Sequence, residues 1–178
     1  MRVRGALEEL GPTFVKVRQL LAARPDLLPP AWTEELPRLH NRATPVPYAE
    51  VHAQLLEDLG AEPASVFRRF DNRPLAAASI AQVYRAELID GTPVVLKVRR
   101  PGIREVVEAD LRLLSRLAEQ AESRMPEVRR FRPRSLVRQF ARSLRNELDL
   151  RIENRNAERL RANAQDSSSI TIPHIHGH

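Results

Sequence analysis

Two short β-rich stretches joined by a turn constrain the fold of this chain more than any other part of it. Residues 80–88 alternate in polarity, and residues 93–98 form a β-branched run that contains Lys97. Between the two stretches stands Asp90-Gly91, a dipeptide typical of a tight hairpin turn. The sequence therefore predicts an antiparallel β-hairpin with one lysine in its second strand.

A loop of small residues leads into this hairpin and consists of Ala76, Ala77, Ala78 and Ser79. A small-residue loop, a strand, a turn and a strand that holds a lysine follow the plan of a protein-kinase small lobe, whose lysine contacts the α- and β-phosphates of ATP. Kinases have Gly-x-Gly-x-x-Gly in this loop. Alanine keeps the loop small but largely gives up positive φ angles, so its backbone amides are not expected to wrap the phosphates in the same way.

The loop is also the first place where the chain resembles a known family. Residues 74–84 are similar, almost residue for residue, to the alanine-rich loop of the UbiB/AarF family of atypical protein-kinase-like proteins. A second similarity lies near the N-terminus, where residues 10–19 resemble the family's Leu-Gly-Pro-Thr-Phe and Lys-x-Gly-Gln sequences. Residues 24–29 resemble its Arg-Pro-Asp-Leu-Leu-Pro string. Lys16 and Gln19 occupy the lysine and glutamine positions of the motif.

One position departs from the N-terminal motif, because Arg18 stands where the family has glycine. Glycine is used where another group must approach the backbone closely, so the helix that holds Arg18 is expected to dock less tightly than in relatives. Arg18 is also expected to compete with Lys16 for acidic partners. Without the flanking sequences, Lys16 and Gln19 would be interpreted as the polar face of an ordinary helix.

Acidic residues near the C-terminus complete the resemblance. Apolar residues at helical spacing predict one long helix over residues 133–164, on which Asp149 and Glu153 would share a face. In the family's arrangement Glu153 resembles the helix glutamate that pairs with the strand lysine, here Lys97. Glu147 and Asp149 resemble the Glu-x-Asp pair, which in the family engages the lysine of the N-terminal motif. The alternative is a solvated helix whose acids form ion pairs with neighbouring arginines.

The fold class predicted from these features is α+β. It is a protein-kinase-like small lobe, made of a short antiparallel sheet and a long helix, with a helical N-terminal extension. Residues 1–62 would form the extension, with a helix over 47–59, and residues 63–178 would form the lobe. A further helix is predicted from residue 103 to about residue 121, and residues 170–173 would begin another strand.

The resemblance implies an atypical kinase or ATPase that binds ATP with Mg²⁺ and is linked to ubiquinone or other isoprenoid-lipid metabolism at a membrane surface. It implies a nucleotide-side pair of Lys97 and Glu153 next to the loop of residues 76–79. No His-x-Asp catalytic loop and no Asp-Phe-Gly metal-binding motif follow in this sequence. We therefore expect a fragment or truncated relative that binds nucleotide weakly and has no phosphotransfer activity of its own.

Composition limits the other function classes. The net charge is +6, but acids are interleaved with the bases, which is typical of a salt-bridged surface, so nucleic acid is not an expected partner. The bases are 27 arginines and two lysines, and both lysines, Lys16 and Lys97, fall inside the motifs. A compact ammonium is not interchangeable with a planar guanidinium where it must approach a phosphate or a carboxylate pair.

Other features of the sequence bear on cellular location and on metal or disulfide sites. No run of about 18 apolar residues and no signal-peptide pattern is present, so a cytoplasmic protein is expected, peripheral at the inner membrane face if the resemblance holds. The chain has no cysteine, which excludes disulfides and thiolate metal sites. Histidines at 174, 176 and 178 are more typical of a frayed terminus than of a metal site. A non-catalytic helical interaction module and a basic polyanion-binding protein remain the alternatives.

Overall fold

The computed structural model describes residues 13–17, 44–164 and 170–176. It has the predicted α+β architecture, and residues 13–17 are helical. The helices that follow are α1 (Tyr48–Leu59), α2 (Pro63–Val66), α3 (Ile103–Arg124), α4 (Pro126–Arg129), α5 (Pro133–Leu148) and α6 (Leu150–Asn163). The strands are β1 (Phe67–Phe70), β2 (Ala76–Ala77), β3 (Ala81–Leu88) and β4 (Pro93–Arg99).

The predicted hairpin is confirmed as β3 and β4, which pair antiparallel from Ala81 opposite Arg99 to Glu87 opposite Pro93. Its turn contains Gly91 at φ 89°, a conformation that glycine adopts without a steric penalty. Strands β1 and β2 both pair with β3, on the side away from β4. Strand β3 is therefore the centre of the four-stranded sheet, and within the described residues the outer edge of β4 pairs with no strand.

Helix α1 covers one face of this sheet. It begins after Pro47 and ends at Gly60, whose φ of 65° is the left-handed conformation that terminates many helices. These are the bounds that the proline and the glycine predict. Its buried residues pack against inward side chains of β3 and β4, in a cluster of Val51, Leu55, Tyr84 and Val98.

A second hydrophobic core joins the beginning of β3 to the long helices. It consists of Ile80, Ala81, Ile103, Val107, Leu111, Phe140, Ala141, Leu144 and Leu148. Val17, from the helical segment at residues 13–17, packs against this cluster. The helical segment at residues 13–17 thus contacts the same core as α3 and α5.

The single helix predicted over residues 133–164 is wrong, because α5 and α6 meet at a break at Asp149. There the backbone leaves the helical region, with φ −96° and ψ 91°. The Asp149 carboxylate accepts the backbone N–H of Arg151 at 3.1 Å and so caps the N-terminus of α6. Aspartate is favoured at this position because its short side chain satisfies a free helix amide. Asp149 and Glu153 therefore do not share the face of one continuous helix.

The strand predicted to begin at residue 170 is also absent, since residues 170–176 form no regular secondary structure. A strand needs a hydrogen-bonded neighbour, and Pro173 has no backbone N–H to donate. Ile170 is exposed, so no apolar burial stabilises an extended conformation.

An arginine–carboxylate pair fastens α5 to α3. Nε and Nη2 of Arg145 donate to Oε1 and Oε2 of Glu108 at 2.7 and 2.8 Å. The hydrogen bond from Arg145 holds the pKa of Glu108 below its ordinary value, and the same bond raises the pKa of Arg145. The bidentate geometry makes this pair more specific than a single surface contact.

This pair predicts a pH-dependent contribution to stability. Because the folded-state pKa of Glu108 is depressed, the contribution is present above the unfolded-state pKa of about 4.3 and disappears as the pH falls through the folded value. We expect Arg145→Gln to lower the free energy of unfolding at neutral pH by about 0.5–1 kcal/mol in urea titrations. Arg142→Gln, at an exposed position of the same helix, is the matched control. If the loss of unfolding free energy in Arg145→Gln does not become smaller at acidic pH, the pair with Glu108 is not the source of the pH dependence.

Candidate functional site

Three neighbouring strands place the alanine-rich loop on the same side of the sheet as the predicted lysine. Ala76 pairs with Val83, and Val83 pairs with Lys97. Directly opposed residues of antiparallel strands have their side chains on one face, and two strand spacings separate Ala76 from Lys97 by about 10 Å. The next residue, Val98, is buried against α1. Lys97 therefore lies on the face opposite α1, together with the start of the loop.

Lys97 forms an ion pair with the first turn of α6. Its Nζ lies 2.6 Å from Oε2 of Glu153, a contact between residues far apart in the chain. The side chains are 41% and 57% exposed, so the pair lies on an open surface. The contact is the one that the sequence predicts. The catalytic roles of the two residues stay predictions.

A second lysine–glutamate pair lies on the other side of the helix break. Nζ of Lys16 is 2.5 Å from Oε1 of Glu147, which belongs to the last turn of α5. The predicted contact between the N-terminal lysine and the Glu-x-Asp pair is thus present for Glu147. Gln19, predicted to act with Lys16, and Arg18 both lie outside the described residues.

Asp149 has a different partner. Besides the backbone N–H of Arg151 it accepts the guanidinium of the same residue, at 2.9 Å from Nε and 3.3 Å from Nη2. The side-chain hydrogen bond from Arg151 holds the pKa of Asp149 below its ordinary value. Within the described residues, the two acids of the predicted pair therefore separate, with Glu147 bound to Lys16 and Asp149 bound to Arg151.

The predicted loop of residues 76–79 is partly strand, since Ala76 and Ala77 form β2 and only Ala78 and Ser79 remain in the turn. The Ala78 N–H donates to the Ala81 carbonyl at 2.8 Å, which closes the turn tightly. Ser79 is buried. The loop is shorter and more firmly attached to the sheet than the sequence suggests, because Ala76 and Ala77 pair with Val83 and Gln82 of β3.

Two polar residues that sequence reasoning missed hold this loop and the segment before α1. Gln82 is buried in β3, accepts the N–H of Val46 and donates from Nε2 to the Tyr84 hydroxyl at 2.5 Å. Arg100 donates from Nε to the Ala78 carbonyl at 2.9 Å and from Nη2 to the Thr44 carbonyl at 2.7 Å. One signal was available for Gln82, because a polar side chain at an inward-facing strand position requires hydrogen-bond partners.

A half-open cavity among the described residues lies away from the lysine pair. Its volume is about 870 Å³, it lies beside α1, α2 and β1, and it is lined in part by aromatic residues and arginines, among them Tyr48, Phe67, Arg68, Arg69, Phe70, Arg73 and Arg85. Neither Lys97 nor Glu153 lines it. Lys97 and the loop instead form an open face, which is what one half of a cleft would present.

Within residues 13–17, 44–164 and 170–176, no group of three or more His, Asp or Glu side chains is close enough to hold a metal ion. In the same part of the chain, no helix has the length and apolar character needed to cross a bilayer.

The sequence is similar to known proteins of the kinase-like class. The family model of the ABC1 atypical kinase-like domain matches residues 38–178. The chain is 43% identical over 175 residues to the "Probable protein kinase UbiB" of Pseudomonas putida and 43% identical over 176 residues to that of Vibrio vulnificus. Each alignment covers 98% of this chain and 32% of the relative, so the chain spans about a third of the length of these curated relatives.

A solved structure shows the same fold. Rv3197 from Mycobacterium tuberculosis, described in complex with erythromycin, superposes with a TM-score of 0.66 at 28% identity. The superposition covers 89% of this chain and 40% of that protein. Here too the matched region is part of a longer chain.

Proposed function

The chain belongs to the ABC1 atypical kinase-like domain family, and we propose that it supplies the nucleotide-binding small lobe of a UbiB-type atypical kinase or ATPase. The observation that carries the proposal is the 2.6 Å contact between Lys97 and Glu153 on the sheet face that also holds the start of the alanine-rich loop. A strand lysine held by a helix glutamate is the arrangement that positions phosphates in kinase-like lobes.

The residues present fit the phosphate end of a nucleotide. Lys97 offers one partly exposed ammonium, Glu153 orients it, and the short strand β2 with the anchored turn of Ala78 and Ser79 follows on the same side. When bound, ATP with Mg²⁺ supplies the phosphoryl group. We assign the Mg²⁺ ligands to the family domain beyond these residues, because the Asp-Phe-Gly motif that holds Mg²⁺ in kinases does not occur in this sequence.

We propose that the N-terminal extension, residues 1–62, regulates access to this site and that residues 63–178 form the lobe. The support is the contact of Lys16 with Glu147, two residues before the break at Asp149 that leads to Glu153. Helix α1 attaches the extension to the sheet through Val51 and Leu55. In this proposal Lys16, Gln19 and Glu147 form the contact between extension and lobe, and Asp149 supports it by capping the N-terminus of α6 beside Glu147.

The chain allows a sharp test, because it has only two lysines. An amine-reactive ATP analogue can modify Lys97, Lys16 or the N-terminal amine, and peptide mapping distinguishes them. We expect labelling of Lys97 to fall about tenfold when excess ATP is added, and labelling of Lys16 to stay constant. Glu153→Gln should weaken the ATP protection, whereas Glu158→Gln, at an exposed position of the same helix, should not. Labelling of both lysines that ignores ATP would overturn the proposed nucleotide site.

We further propose that the whole protein acts in ubiquinone or other isoprenoid-lipid metabolism from the surface of a membrane. The support is the similarity to proteins named UbiB, with 98% of this chain aligned. Because those relatives are about three times longer, the role belongs to the full-length protein and is tested in that setting.

A further inference from the structure

One guanidinium holds two separate segments of the chain. Arg100 directly follows β4, and its two hydrogen bonds reach the Ala78 carbonyl in the alanine-rich loop and the Thr44 carbonyl in the connector, which we define as residues 44–47. The Arg100 backbone N–H also donates to the Ile80 carbonyl at 3.0 Å. Arg100 is therefore fixed beside the loop by its backbone and bridges from the loop to the connector by its side chain.

The chemistry of this bridge requires arginine. A planar guanidinium offers several N–H donors in a fixed fork, whereas a lysine ammonium is a compact charge on a flexible stem. The Arg100 side chain is partly buried, and this burial lowers its pKa. Hydrogen bonds from a charged donor are stronger than those between neutral groups. Removal of the guanidinium would leave both carbonyls without this donor.

Gln82 fixes the connector at a second point. Its amide oxygen accepts the Val46 N–H, and its Nε2 lies 3.4 Å from the Val46 carbonyl. The connector is thus attached to the sheet at Thr44 through Arg100 and at Val46 through Gln82. The connector leads directly into α1. The hydrogen bonds that hold the connector before α1 therefore lie next to the one that holds the alanine-rich loop.

We propose that Arg100 is a positioning residue that couples the connector before α1 to the alanine-rich loop. While the connector is docked, Arg100 holds the Ala78 carbonyl and thereby the shape of the turn. When the connector moves, the turn loses this anchor. The coupling itself is a property of the fold, whereas its effect on nucleotide binding rests on the proposed function. A nucleotide that orders the loop must, by linkage, also favour the docked connector.

Hydrogen exchange of the whole chain without nucleotide tests the coupling. We expect Arg100→Gln to speed exchange about tenfold in peptides that contain Val46 and Ala78, relative to peptides from α3 and α5. Arg104→Gln, which removes an exposed arginine nearby, should change neither peptide. Acceleration of only one segment, or of neither, would overturn the proposal. If Arg100→Gln accelerates exchange throughout the chain, Arg100→Lys decides: release of both segments supports the coupling, and release of one segment or of neither contradicts it.

Repeating the exchange with saturating ATP separates this inference from the proposed function. We expect ATP to slow exchange of the connector in the unmodified chain, and this protection to be lost in Arg100→Gln while ATP still protects Lys97 from labelling. If the coupling is present without nucleotide but ATP protects neither segment nor Lys97, the nucleotide site is wrong and the coupling stands. Connector protection that survives in Arg100→Gln would overturn the role of Arg100.

Discussion

Truncation of Tyr84 to alanine should remove a large fraction of the stability of the lobe. Tyr84 is fully buried at the centre of the sheet, with its ring centroid 5.6 Å from that of Phe70 and 6.4 Å from that of Tyr48. Removal of a large buried aromatic side chain costs about 3–5 kcal/mol, a large fraction of the total stability of a domain. The Gln82 amide would also lose the hydroxyl that accepts its hydrogen bond.

Urea unfolding followed by circular dichroism measures this loss. Tyr84→Phe keeps the ring and removes only the hydroxyl, so we expect it to cost about 1–2 kcal/mol. Leu117→Ala, at an exposed position on α3, should change the free energy of unfolding by less than about 0.5 kcal/mol. A Tyr84→Ala variant within about 1 kcal/mol of the unmodified chain would show that α1 and the sheet do not form a common core.

Loss of the Lys97 ammonium should have the largest functional effect. We consider a chimera in which residues 1–178 replace the matching third of the Pseudomonas putida relative, which is 43% identical to this chain. In this chimera Lys97→Ala should reduce Mg²⁺-dependent ATP turnover by about a hundredfold or more, because a fixed positive charge at the phosphates is lost. Lys97→Arg should also reduce ATP turnover, since a guanidinium does not replace the compact ammonium at this site.

The chimera also tests the wider role. Ubiquinone content of cells that depend on the chimera should fall in Lys97→Ala and stay normal in Arg116→Gln, an exposed position on α3. The 178-residue chain alone should show no phosphotransfer, since its sequence contains no His-x-Asp and no Asp-Phe-Gly. Two results would contradict these expectations: normal ubiquinone content with Lys97→Ala, or robust turnover by the isolated chain that Lys97→Ala abolishes.

Local signals predicted much of the fold. Asp90-Gly91 located the hairpin turn. Pro47 marked the start of α1 because proline is tolerated where a helix begins, and Gly60 marked its end because glycine readily adopts the left-handed conformation. The contact between Lys97 and Glu153 was a different kind of prediction. It depended on resemblance to a family arrangement, since no local pattern brings residues from a strand and a distant helix together.

The features that sequence reasoning missed depend on tertiary context or on weaker local signals. Apolar residues continue at four-residue spacing through Leu144, Leu148 and Ile152, so their periodicity conceals the break between α5 and α6. A local sign of this break was the aspartate at position 149, a residue type that is favoured at helix N-termini. The partners of Arg100 could not be predicted, because the backbone carbonyls that it contacts come together only when the connector packs on the sheet.

The outer edge of β4, which pairs with no strand among the described residues, bears on how the chain behaves in concentrated solution. An open strand edge is a template for association with other chains, and proteins often protect such edges with proline and charged side chains. In β4 these are Pro93, Lys97 and Arg99, while Val95 is 64% exposed. Lys97 therefore opposes aggregation as well as holding its place beside Glu153. Lys97→Ala removes both properties at once, whereas Lys97→Arg keeps the edge charged and separates self-association from the loss of function.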